Sequence, residues 1–112
     1  MNIIYKTPEA QTNHVDYEID GNYLTVGAIT LRLDKYERDY DIHMDICRDK
    51  FGNLTTGVIP GWSILYVAQI DIPARTYHEV DSGETNDDGE AIMKPEADPF
   101  DMSKATLTLW EV

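Results

Sequence analysis

Hydrophobic and polar residues alternate along most of the chain with a period of two, which is typical of half-buried β-strands. In residues 15–20, apolar side chains at the odd positions alternate with the carboxylates of Asp16, Glu18 and Asp20. The dipeptide Asp20-Gly21 then predicts a tight hairpin of type I′, in which both central residues need positive φ. We therefore expect a strand that ends in a sharp reversal.

The return strand begins at Tyr23, and its alternation changes phase at Gly27-Ala28. We predict a β-bulge at this dipeptide, because a bulge would absorb the extra residue. The most regular alternation follows in residues 40–49. One face of this strand is apolar, and the other face carries Asp41, His43, Asp45, Cys47 and Asp49. We expect the second face to be solvated.

Residues 62–72 are the most apolar stretch, and they predict a central strand that is covered on both sides for part of its length. We expect Trp62 and Tyr66 to pack in the core rather than to form a ligand-binding face. Pro73 ends this strand or marks a sheet edge.

The remaining alternation predicts strands over residues 54–59, 75–80 and 106–112, with one helical turn near residues 101–103. Asp88-Gly89 indicates a small hairpin that pairs residues 76–80 with residues 91–94. Short strands separated by turn signals predict one all-β domain over residues 1–112. We expect an antiparallel β-sandwich or a small, partly open barrel of about six to eight strands.

Acidic residues are concentrated in residues 79–101, which contain nine carboxylates and one basic side chain, Lys94. The net charge of this segment is therefore −8, out of −12 for the whole chain. The segment is either a solvated loop or hairpin or an interaction surface for a basic partner. The partner-binding residues that we predict in it are Glu84, Asp87, Asp88 and Glu90.

Two rows of carboxylates on predicted strands offer a second acidic feature. The first row is Asp16, Glu18 and Asp20, which we predict as a second partner-binding patch. The other row is Asp41, Asp45 and Asp49. Alternate residues on a strand lie roughly 6.6 Å apart, which is of the order of the phosphate spacing in a nucleic acid. The alternative interpretation is the ordinary wet face of an antiparallel sheet.

Metal binding and catalysis have little support in the sequence. Residues 84–89 resemble the start of a calcium loop, but Pro95 occupies the twelfth position, where an EF-hand needs glutamate. No paired cysteine spacing indicates zinc, and His43 lies roughly 13 Å from Cys47 on an extended strand. No known catalytic motif is present. We therefore expect no enzyme activity, no cofactor and no metal.

Composition restricts the partners and the compartment. With nine basic residues and a pI near 4.3, the chain is poorly suited to bind nucleic acid directly or an anionic membrane surface. The single cysteine, Cys47, excludes an intrachain disulfide, and the first residues lack the pattern of a signal peptide. We expect the protein in the cytoplasm of a bacterial host cell.

The C-terminal third contains three segments that carry a resemblance: Ile72-Pro73-Ala74-Arg75-Thr76-Tyr77, Pro99-Phe100-Asp101-Met102 and Thr106-Leu107-Thr108-Leu109-Trp110. It resembles the ends of small uncharacterised proteins that phages and other mobile elements of bacteria encode. The resemblance assigns no functional residue. It implies a binding protein, such as an inhibitor of a host defence nuclease, or a part of a particle.

These observations lead to three functional hypotheses. The first is a non-enzymatic interaction protein, encoded by a phage or mobile element, that binds a basic protein partner and inhibits a host nucleic-acid-binding or defence protein. The second is a structural or assembly component of a phage particle. The third is a metal- or ligand-binding β module. The sequence does not indicate an oligomeric state.

Overall fold

The computed structural model describes all 112 residues, and its regular structure consists of ten β-strands and three single turns of 3-10 helix. The strands are β1 (Asn2–Tyr5), β2 (Tyr17–Asp20), β3 (Tyr23–Val26), β4 (Ile29–Arg32), β5 (Ile42–Asp49), β6 (Leu54–Thr56), β7 (Ser63–Ile72), β8 (Tyr77–Thr85), β9 (Ala91–Ala97) and β10 (Thr106–Leu109). The 3-10 turns are Pro8–Gln11, Leu33–Lys35 and Met102–Lys104. The expected all-β fold is confirmed, and the helical turn near residues 101–103 is present.

A five-stranded sheet in the order β1-β10-β7-β5-β6 forms the centre of the molecule. All its pairs are antiparallel except the edge pair of β1 with β10. The register of β5 against β7 shifts twice, so that Val67 and Ile64 have no partner on β5. These two irregularities divide β7 into a regular C-terminal half and an irregular N-terminal half.

The three-stranded sheet β2-β3-β4 contains two tight turns, and both depart from the sequence prediction. In the first turn Gly21 has φ of +58° while no residue other than glycine has positive φ, so type I′ is wrong. Glycine at the first central position is the pattern of type II′. The second turn is Gly27-Ala28, where the chain reverses between Val26 and Ile29. The predicted β-bulge is therefore wrong, because the phase change marks a second hairpin.

The two larger sheets pack face to face around one hydrophobic core. Leu24 and Val26 of the three-stranded sheet are fully buried in the same cluster as Ile46, Ile70 and Leu107 of the five-stranded sheet. This arrangement is a small sandwich, and none of the sheets closes into a barrel. The strand number exceeds the expected six to eight, since β1 and β4 were not predicted as separate strands.

Strands β8 and β9 form a separate two-stranded hairpin, here called the arm, which pairs with no other strand. Every residue of β9 is exposed. The radius of gyration is 19.2 Å, whereas a compact domain of this length would have about 13 Å. The longest dimension is 66 Å, and nine residues of strand span roughly 30 Å. The arm therefore projects from the sandwich.

We predict that the sandwich does not depend on the outer arm. Replacing residues 82–92 by Asn-Gly, which joins the paired residues Asp81 and Met93, should change the free energy of unfolding by less than about 1 kcal/mol. Urea denaturation measures this change. Leu107→Ala is the positive control, because a buried leucine truncated to alanine costs about 2–5 kcal/mol. A loss from arm shortening as large as that of the control would contradict the prediction.

Candidate functional site

One polar anchor holds the base of the arm. The carboxylate of Asp98 accepts hydrogen bonds from the Thr76 hydroxyl and from Nδ1 of His78, each at 2.6 Å. These two bonds, with that of Thr76 the stronger contribution, lower the pKa of Asp98. The Asp98 amide also donates to the Thr76 carbonyl at 2.9 Å. The two strands of the arm are thus joined where they leave the body.

A second anchor connects β8 to the segment between β4 and β5. The guanidinium of Arg75 lies 3.3 Å from the Glu37 carboxylate and 3.4 Å from that of Asp39. Tyr77 donates its hydroxyl hydrogen to Asp39, and the Arg75 amide donates to the Arg38 carbonyl. The first residues of the arm are therefore attached to the body on the side of β8.

The predicted binding residues Glu84, Asp87, Asp88 and Glu90 lie at the tip of the arm, and all are exposed. Asn86 organises this tip, since its side-chain oxygen accepts from the amides of Asp88 and Glu90 at 3.0 and 2.9 Å. None of the seven ion pairs of the chain involves the four carboxylates. The tip therefore presents four unpaired negative charges around one ordered turn.

The second predicted patch, Asp16, Glu18 and Asp20, is also exposed, beside and along the edge strand β2. No salt bridge neutralises these carboxylates. On the adjacent strands the hydroxyls of Thr25 and Thr30 hydrogen-bond to each other at 3.0 Å. The structure does not bring this patch into the arm, so the two predicted patches lie on different sheets.

The carboxylates of the other row accept hydrogen bonds within the molecule; this row is Asp41, Asp45 and Asp49. Asp41 accepts from the Ala74 amide, and Asp45 accepts from the Gln69 side chain. Asp49 is buried and accepts from the amides of Phe51 and Asn53 in the loop after β5. These carboxylates stabilise loops and strand pairs, so this row cannot imitate a phosphate backbone.

The solvated face predicted for residues 41–49 is wrong at Cys47 and Asp49, since both are buried. Cys47 lies next to a register shift of β5 against β7 and shares a depression with Val58 and Tyr66. Burial raises the pKa of the Cys47 thiol, which disfavours the nucleophilic thiolate.

His43 lies between two carboxylates. Its Nδ1 is 2.6 Å from Asp71 and its Nε2 is 2.8 Å from Asp45. Both ring nitrogens can donate only in the protonated imidazolium. The hydrogen bond to Asp71, more than that to Asp45, raises the pKa of His43, although partial desolvation opposes the shift. The three side chains His43, Asp45 and Asp71 thus connect the neighbouring strands β5 and β7.

The structure also exposes a hydrophobic region that the sequence interpretation placed in the core. Trp62 is 47% exposed and Tyr66 is 38% exposed, so the prediction that both are buried is wrong. Strand β10 pairs with β7 only from Ala68 to Asp71, so residues 63–66 have no paired strand on that side. Trp110, which follows β10, donates its amide to the Val67 carbonyl and packs its ring against Tyr66. No local pattern in the sequence indicates where β10 ends.

The chain has neither a metal-binding cluster nor a membrane-spanning helix. No group of three or more histidine, cysteine, aspartate or glutamate side chains could hold a metal ion. No helix has the length and hydrophobicity needed to cross a membrane. No protein family, curated protein or solved structure matches this chain. The exposed, unpaired carboxylates of the arm tip are the candidate functional site.

We predict that His43 makes stability depend on pH. Its folded pKa is raised, so its stabilising effect is complete below the unfolded value of about 6.5 and is lost as pH rises through the folded pKa. An NMR titration should give a His43 midpoint above about 6.5. Asp71→Asn should move the midpoint toward the ordinary value. A wild-type midpoint at or below the ordinary value would contradict the prediction.

Proposed function

We propose that this protein is a non-enzymatic interaction protein, encoded by a phage or mobile element, that binds a basic protein partner in the cytoplasm of a bacterial host. The observation that carries the proposal is the ordered arm tip with four carboxylates that have no counter-ion within the chain. A carboxylate that is already paired inside the protein gains little from a partner. The free carboxylates of the tip are available for intermolecular ion pairs.

The anchoring of the arm supports this role. Because Asp98 and Arg75 fix both strands at the base, less conformational entropy is lost when the tip binds. Concentrated charge of one sign also accelerates encounters with an oppositely charged surface. The arm can therefore reach a recessed basic site that the broader sandwich could not enter.

The patch on β2 extends the proposal to the kind of partner. Glu18 and Asp20 are alternate residues on one strand, so the two residues lie roughly 6.6 Å apart along it. A basic groove that tracks nucleic-acid phosphates would accept such a row. We therefore propose that the partner is a nucleic-acid-binding or defence protein whose groove this protein occludes.

A second candidate function is a structural or assembly component of a phage particle. The elongated shape favours it, because a 66 Å molecule with a projecting hairpin is suited to reach a neighbouring subunit. In that case the basic surface belongs to another particle protein. Both candidates use the same arm, and they differ in the identity of the partner.

The test compares two variants that remove the same number of charges at different places. The arm variant D87N/D88N/E90Q and the β2 variant D16N/E18Q/D20N each change the net charge by three. The proteins that wild type captures from host lysate should be basic. The arm variant should capture at least about tenfold less of them than the β2 variant captures. Quantitative mass spectrometry of the captured proteins measures this difference.

Salt dependence of the captured partner then checks the mechanism. The affinity for the purified partner should fall strongly between about 50 mM and 500 mM salt, because ions screen the charges of the tip. An unchanged affinity over this range would contradict the electrostatic mechanism. Equal losses from both variants, whether from net charge alone or from a β2 patch that binds as strongly as the tip, would overturn the leading role of the arm.

A further inference from the structure

The N-terminal half of β7 and the loops beside it form an exposed hydrophobic region, here called the apolar end. Its residues are Phe51, Val58, Trp62, Ile64, Leu65 and Tyr66, which are 38–63% exposed. One shallow depression of about 200 Å³ is lined by Val58 and by three of these residues on β7: Ile64, Leu65 and Tyr66. Scattered single hydrophobic residues on a surface need no explanation, whereas a contiguous group indicates a binding surface.

The apolar end also has an open strand edge. Residues 63–66 have β5 as a neighbouring strand on one side only, because the pairing of β10 with β7 ends at Ala68 and beyond it only the Trp110 amide reaches the Val67 carbonyl. The Trp110 ring packs against Tyr66, with the ring centres 5.1 Å apart. An exposed, apolar strand edge is a template for pairing with another strand, and soluble proteins usually protect such edges with charges. Ile64, Leu65 and Tyr66 provide no charge on this edge. The edge is therefore suited to receive a strand.

The charge at the apolar end is opposite to that of the rest of the molecule. Residues 48–70 contain two basic side chains and one acidic side chain, Asp49, which is buried. Nζ of Lys50 lies 5.2 Å from the centre of the Trp62 ring and 5.5 Å from that of Phe51. A cation thus borders the hydrophobic surface in a chain whose net charge is −12.

The arm has the complementary properties. It is acidic at its tip, both of its strands have open edges, and it exposes Ile92 and Met93, which are 40% and 49% accessible. Contact between two arms would place negative charges against each other, and so would contact between two β2 patches. Contact of arm with apolar end combines opposite charge, hydrophobic surface on both sides and a projecting element that can reach a second copy.

We propose that the arm of one copy docks on the apolar end of a second copy, in a head-to-tail arrangement. The inference rests on the proposed role of the arm as a binding element, and it names a second copy of the chain as a partner. The apolar end lies at the start of β7, and the arm leaves the body just after the end of β7. Two different surfaces meet, so the interface is heterologous and can propagate into a ring or filament.

Sedimentation equilibrium of the intact protein is the first measurement. Wild type should associate as its concentration rises from about 1 µM to about 1 mM. Two variants should each remain monomeric: the apolar-end variant W62S/I64T and the arm-shortened variant in which Asn-Gly replaces residues 82–92. Both substituted side chains are about half or more exposed, and circular dichroism checks that each variant is folded.

Mixing the two variants gives the decisive result. The apolar-end variant retains an intact arm and the shortened variant retains an intact apolar end, so the mixture should form a 1:1 heterodimer that cannot grow further. An interface made of the same surface on both copies could not give this outcome. A mixture that stays monomeric, or wild type that stays monomeric at the highest concentration, would overturn the inference.

These outcomes are separable from those of the proposed function. If wild type is monomeric but the arm variant D87N/D88N/E90Q still loses a basic partner, the head-to-tail inference fails and the proposed function stands. If the heterodimer forms but no basic partner depends on the arm, the inference stands and the proposed partner class fails.

Discussion

A two-stranded hairpin buries little surface by itself, and this constraint determines how the arm is held and what it can bind. An isolated hairpin is marginally stable in water, so the arm depends on attachment at its base. At the base, the Asp98 carboxylate after β9 accepts hydrogen bonds from Thr76 and His78 on the β8 side. Arg75 forms ion pairs with the segment between β4 and β5. Beyond these anchors the arm has charge and hydrophobic side chains but no core. Contact with another surface is the means by which such an element gains further stability.

The acidic residues of the chain fall into two groups with different physical roles. Asp41, Asp45 and Asp49 accept hydrogen bonds from the body and stabilise its turns and strand pairs. The carboxylates of the arm tip and of the β2 patch have no such partner. The net charge of −12 therefore overstates the acidity that is free to bind. The free part is concentrated on a projecting element, while the opposite end of β7 is apolar and bordered by Lys50.

The sequence predicted most of the strands, because alternation directly reflects one buried face. It failed where two physical causes give the same pattern: the phase change at Gly27 fits a bulge and a two-residue hairpin equally well. It also failed where the cause is distant in sequence. Trp62 and Tyr66 lie beyond the part of β7 that β10 pairs with, and both are exposed. Asp41 accepts a hydrogen bond from an amide 33 residues away. The exposed tip of the arm was predictable, since polar residues around a turn bury little, but the order that its anchors impose was not.

Every role given to the arm requires that it projects from the sandwich as an ordered element. Small-angle X-ray scattering, extrapolated to infinite dilution to remove association, tests it most directly. With a projecting arm we expect a radius of gyration near 19.2 Å and a longest dimension near 66 Å. A radius of gyration near 13 Å, about the value of a compact domain of this length, would show that the arm folds back on the body and would contradict the account.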